Sequence, residues 1–194
     1  TTDVTRTILN KRDKKPKDFN EISNNYTLVL KGHIAVAESH FKKGETGKNL
    51  DNKARKFLIK NGLNYDHGTG HGVGVFSNVH QGPQGISRLN TVPLTPRMIL
   101  SIEPGVYLKG KLGIRLENLV YVKKKSGNSR QKREFLEFET LTLVPFEKKL
   151  IERNLLSRDE LEWLNSYHHN VYKKLSPFLN VSEKTWLRHA CRIL

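Results

Sequence analysis

The 194 residues carry 34 Lys and Arg against 19 Asp and Glu, a formal charge of +15, with 36% hydrophobic residues and a single cysteine. One cysteine excludes an internal disulfide framework and a thiolate metal site, and no apolar run approaches the ~18–20 residues of a bilayer-spanning helix. The lysines fall in separate polar stretches (11–17, 42–48, 123–132, 148–149) without interleaved aromatics, so a solvated basic surface is expected rather than a nucleic-acid platform.

Taken in order, Thr1–Leu9 is rich in β-branched residues and predicts a strand. Asn10–Asp18 reads as a Lys-rich turn. From Phe19 to about Phe41, apolar residues recur at three- and four-residue steps, which predicts a helix closed before Gly44. A second helix fits Leu50–Asn61, with Gly62 just beyond it. Gly-punctuated, strand-like runs follow at Gly72–His80, Met98–Ile102, Gly113–Val122 and Phe135–Val144, with a basic hairpin loop over Lys123–Lys132. Ser157-Arg-Asp-Glu160 is a capping box that opens a helix to about Lys174, stopped by Pro177. A last short helix is expected over Ser182–Arg192. Consecutive strands beside segregated helices predict an α+β domain and not a doubly wound parallel sheet, which would need a helix between successive strands.

The chemistry-bearing stretch is His67-Gly-Thr-Gly-His71-Gly-Val-Gly-Val-Phe-Ser-Asn-Val-His80. His-x-x-x-His on a helix would suit zinc, but the intervening glycines make a poor helix. A tight loop entering a strand is expected instead, from which both imidazoles can reach one site. Glu103 ends an apolar run and Glu117 lies within one, as Asp3 does near the start. A carboxylate in apolar surroundings needs a cation. The cation is either a metal ion or an arginine or lysine from elsewhere in the chain, and Arg115 is expected on the face opposite Glu117. Carboxylates with an imidazole suit Mn, Co, Zn or Fe. Several bridging carboxylates would hold two ions and favour hydrolysis of an amide or phosphate ester.

Along the chain come Thr1-Thr-Asp3-Val-Thr-Arg-Thr, Gly68-Thr-Gly-His71-Gly-Val-Gly with Val79-His80, Ser101-Ile-Glu103-Pro-Gly and Gly113-Ile-Arg-Leu-Glu117-Asn, in this order. Together they resemble aminopeptidase P, the Xaa-Pro aminopeptidases of the pita-bread metallopeptidases. Phe135–Phe146 and Trp163-Leu-Asn-Ser-Tyr-His168 resemble that family's C-terminal segment. The resemblance implies a pita-bread fold, with residues 1–154 as part of the catalytic domain and 155–194 as a helical C-terminal segment. It also implies two divalent ions, manganese first and zinc or cobalt next, with a bridging hydroxide. By motif, Asp3, His71, Glu103 and Glu117 match metal ligands. Glu103 also matches the general base, and His67 and His80 the histidines that face substrate. The implied substrates are peptides with proline in second position, whose ring bulk and missing N–H set the preference. A homodimer is a family expectation.

The resemblance further implies a metal-binding Asp and the rest of the domain upstream of Thr1, so the chain is expected to be a fragment lacking one ligand. Gln81, Val106 and Arg97 stand where the family commonly has Glu, Tyr and Gly. A cytoplasmic, reducing setting fits the lone Cys191 and the charged first thirty residues. The alternatives are a prolidase or another pita-bread peptidase, and a non-catalytic remnant or basic binding module.

Overall fold

The structure, a computed structural model, describes residues 2–10, 16–125 and 134–194. Its elements run α1 (Phe19–Ala37), β1 (Phe41–Lys42), α2 (Gly47–Ile59), β2 (Gly70–His71), β3 (Gly85–Ile86), β4 (Ile99–Ile102), β5 (Gly105–Leu108), β6 (Leu112–Arg115), β7 (Asn118–Lys124), β8 (Phe135–Thr140), α3 (Arg158–Leu175) and α4 (Val181–Ala190). All strand pairings are antiparallel. β1, β8, β7 and β4 form one four-stranded sheet in that order, and β2–β3 and β5–β6 are two-stranded ribbons. The α+β expectation holds.

Alternation along the sheet explains its two faces. In β8, Leu136 and Phe138 are buried, whereas Glu137 and Glu139 meet Lys123 of β7 at 3.4 and 3.0 Å on the outer face. The inner face packs with Val36, Leu50, Ala54, Leu100 and Val120 into one apolar cluster. A second cluster joins Tyr26, Leu30 and Ile34 of α1 to Leu164, Tyr167 and Val171 of α3, with Phe146 and Leu150 between them. The C-terminal helices therefore share a core with the sheet-bearing region. Close approach of α1 to α2 depends on Gly32, where a Cβ would lie 2.4 Å from the Ala54 carbonyl oxygen.

The capping box at Ser157 is present in full, with Glu160 as its partner. A second one, Asn180 with Glu183, opens α4.

Several expected strands are shorter than their composition suggests. Residues 2–9 form no strand among the described residues, only an isolated bridge from Thr5 to Glu117. The run from Gly72 bridges Leu100 once and then turns through bends, because its glycines and Asn78 favour turns over a ladder. The run over 113–122 is broken between β6 and β7 at Leu116 and Glu117. β8 ends at Thr140, ahead of Pro145, and Leu141 N still reaches the Leu119 carbonyl. Most of the basic loop expected over Lys123–Lys132 lies outside the described residues, and so does part of the turn at Asn10–Asp18; Lys123 and Lys124 belong to β7.

Candidate metal centre

β2 brings His71 against β4. The His71 N–H donates to Ser101 Oγ at 3.0 Å, and Glu103 N–H donates to the Thr69 carbonyl at 2.7 Å. Only glycine fits at position 70, because a Cβ there would lie 1.9 Å from the Ser101 carbonyl oxygen. Thus Gly70 sets how close the histidine strand comes to the strand that ends in Glu103.

On that frame His71 Nε2 lies 3.2 Å from Glu103 Oε1 and 3.4 Å from Asp3 Oδ2. His71, Glu103 and Glu117 offer ligand atoms all within 4.8 Å of one another, and so do Asp3, His71 and His80. The His80 ring stands 4.1 Å from the His71 ring, on the exposed side. His71 Nδ1 is committed at 3.0 Å to the Gly72 carbonyl, which fixes the ring. Its Nε2 is buried and has no hydrogen-bond partner.

The electrostatics are those of crowded carboxylates. Glu103 and Glu117 are 8% and 2% exposed. Burial first, then Glu117 and Asp3, pushes Glu103 up to about 7, opposed by Arg115 and the Ser101 hydroxyl. Burial also raises Glu117, against the lowering effect of the Thr5 hydroxyl, which donates to its Oε2 at 2.5 Å. Two buried acids and Asp3 around an unpartnered imidazole nitrogen make a donor set that suits divalent cations, and a cation there would reverse these upward shifts.

His67 does not join this cluster. Its Nδ1 lies 2.7 Å from the Gly68 carbonyl and its Nε2 2.9 Å from Tyr107 Oη. Tyr107 Oη in turn accepts from Arg115 Nε at 2.8 Å, and Arg115 Nη1 sits 3.3 Å from Glu103 Oε2. Arg115 therefore faces the site, contrary to expectation. It lies two positions from Glu117, and period-two alternation keeps the two on one side. Burial lowers the His67 pKa, helped by the positive charges of Arg115 and Arg55. Sequence reasoning missed Tyr107, although it lies two residues beyond the Glu103-Pro-Gly turn.

Residues 1–124 match the profile of metallopeptidase family M24, and residues 134–194 match the C-terminal region of peptidase M24. The chain belongs to metallopeptidase family M24. It is 47% identical over 194 residues to a probable Xaa-Pro aminopeptidase P of Arthroderma gypseum, covering 97% of this chain and 30% of that protein. A probable Xaa-Pro aminopeptidase P of Tuber melanosporum is 46% identical, with 97% and 30% covered. The X-prolyl aminopeptidase of Caenorhabditis elegans, described as a cytosolic enzyme with a di-nuclear active site, superposes with a TM-score of 0.91. It shares 42% identity over 100% of this chain and 31% of its own. A prolidase of Pyrococcus horikoshii gives a TM-score of 0.57 at 31% identity, covering 77% of this chain and 38% of its own. The M24 chain thus spans about 30% of the length of these curated relatives. No helix among the described residues is long and apolar enough to cross a membrane.

Proposed function

We propose that this M24 chain supplies the C-terminal part of the catalytic domain of an Xaa-Pro aminopeptidase. Residues 1–154 carry the metal centre and 155–194 the helical segment packed on it. The observation that carries this reading is His71 Nε2, buried without a hydrogen-bond partner and within 3.4 Å of the carboxylates of Asp3 and Glu103.

Asp3, His71, Glu103 and Glu117 would hold two divalent ions, manganese by preference and zinc or cobalt as alternatives. Ions held there would supply Lewis-acid polarisation of the scissile carbonyl and lower the pKa of a bound water toward neutrality. Glu103 serves as general base, since hydrogen-bonded and charged neighbours on both its oxygens hold the carboxylate in one orientation. His80, exposed beside His71, meets the peptide from the solvent side. His67 holds its proton or lone pair at Nε2 toward Tyr107, whose hydroxyl is fixed by Arg115. This fixes the geometry of a polar group that contacts substrate without binding the ions. The substrates are peptides with proline in second position, and the setting is cytoplasmic.

The test is hydrolysis by the natural full-length polypeptide. Cleavage of an Xaa-Pro-Xaa tripeptide after the first residue is expected. Cleavage restricted to Xaa-Pro dipeptides would instead make the protein a prolidase, and no cleavage of either peptide would end the peptidase reading.

A further inference from the structure

Arg6 joins the two family regions of the chain at the metal centre. The segment that carries Asp3 makes only one ladder bridge among the described residues, Thr5 with Glu117. Its position depends on side-chain bonds, and Arg6 supplies most of them. Arg6 Nη1 donates to the carbonyls of Thr5 and Glu117 at 2.9 and 2.6 Å, clamping both sides of that bridge. Nη2 donates to Asn118 Oδ1 at 2.6 Å. The rest of the guanidinium turns to the C-terminal region. Nε donates to the Pro145 carbonyl at 3.1 Å, and Nη2 to the Val144 carbonyl at 2.7 Å and to Tyr167 Oη at 3.2 Å. The group also lies 4.2 Å from the centre of the Phe146 ring.

The segment presents two sides: Asp3 reaches His71 and Thr5 reaches Glu117, while the Arg6 guanidinium extends to Tyr167 on α3. Tyr167 is anchored there in turn, its single hydroxyl proton shared between the carbonyls of Thr142 and Val144 at 3.0 and 2.8 Å. A planar guanidinium has five N–H groups for these six acceptors, so it serves them together with one Nη2 proton shared between two. An ammonium cannot, because it has three donors on one nitrogen.

We infer that Arg6 is a positioning residue for the metal centre. Through it, Tyr167 and the 144–146 segment hold Asp3 and Glu117 at the separation that binds divalent ions. On this inference the C-terminal region contributes to metal affinity without providing a ligand. The inference rests on the proposed reading of Asp3 and Glu117 as metal ligands.

The experiment is manganese titration of the natural full-length polypeptide by calorimetry, with unfolding followed in parallel. Arg6→Lys is expected to weaken manganese binding by about tenfold or more, the scale of losses when groups supporting a ligand are removed. Tyr167→Phe, a milder change that keeps the ring in the core, is expected to weaken it severalfold and carries the test if Arg6→Lys does not fold. Leu164→Ala, on the same helix but not among the hydrogen-bond partners of Arg6, should lower stability and leave manganese affinity unchanged. Unchanged affinity in a folded Arg6→Lys, or in Tyr167→Phe where Arg6→Lys does not fold, overturns the inference and leaves the reading of the site standing. An equal loss of affinity in Leu164→Ala also overturns it, because the effect would then be general destabilisation. A wild-type protein that binds no manganese overturns the reading and the inference together.

Discussion

Asp51 and Arg55, one turn apart on α2, are joined at 2.7 Å with both side chains buried. Arg55 also donates to the carbonyls of Tyr65 and His67, each at 2.6 Å. Asp51 Oδ1 accepts from the Thr69 hydroxyl at 2.6 Å. The pair thus ties the loop from Tyr65 to Thr69 down to a helix, and that loop leads into the strand bearing His71. Arg55→Leu leaves the buried Asp51 carboxylate to Arg88, at 3.8 Å, and to the Thr69 hydroxyl, so a loss of roughly 3 kcal/mol in unfolding free energy, the lower end for a broken buried pair, is expected by urea titration. Arg55→Lys keeps the charge but not the carbonyl contacts, and should fall between the two.

The Tyr107 hydroxyl sits between His67 and Arg115. Tyr107→Phe removes it with little change in shape. A bond to a charged group contributes ~1.5–3 kcal/mol, so kcat/KM for an Xaa-Pro-Xaa peptide should fall by about tenfold or more. Steady-state kinetics of the natural full-length polypeptide measures this, with manganese content expected to stay unchanged because Tyr107 is not a proposed ligand.

Arg97 occupies a turn with φ of 76°, and its N–H donates to the Val122 carbonyl at 2.7 Å. That left-handed backbone costs an L-residue ~1–2 kcal/mol, a cost that glycine does not carry. Arg97→Gly should therefore raise stability, by about 1 kcal/mol once glycine's greater unfolded-state entropy is subtracted. Comparative thermal unfolding would show it.

His33 and His168 lie in the core at 0% exposure. Burial, aided by the positive charge of Arg6 and, for His168, first of Lys148, lowers them to about 3 and about 4. Both folded pKa values lie below the unfolded value of 6.5. Between pH 6.5 and about 4 the unfolded chain binds protons that the folded chain does not, so stability falls as pH falls through that window. For His168 the full effect is roughly 3 kcal/mol. His168→Gln, which keeps an acceptor for the Phe146 N–H, should lessen the loss of stability between pH 7 and pH 5 relative to the wild type.

The helices and the antiparallel sheet were legible because the signals that form them are local. Three- and four-residue steps mark α1, and the Ser157 box marks α3. Where bonding is non-local, composition misleads. The β-branched run of residues 1–9 looks like a strand, yet it is held by Arg6 and Thr5 through partners more than a hundred positions away. The Asn180 box was equally local, but the last helix was expected to begin at Ser182, two residues beyond its true N-cap, so the box was not recognised. In the site, Asp3, His71, Glu103, Glu117, His67 and His80 were all nominated from sequence. The structure gathers His71 with Asp3, Glu103, Glu117 and His80, and sets His67 apart with Tyr107. The roles of Tyr107 and Arg115 could not be read from spacing, because they follow from the pairing of β5 with β6, which puts Gly105 opposite Arg115.

The most direct test of the central claim is anomalous diffraction at the manganese edge from crystals of the natural full-length polypeptide. Two peaks within coordination distance of the carboxylates of Asp3, Glu103 and Glu117 are predicted, one of them also on His71 Nε2. Peaks elsewhere, or a His71 Nε2 that contacts no metal, would contradict the account.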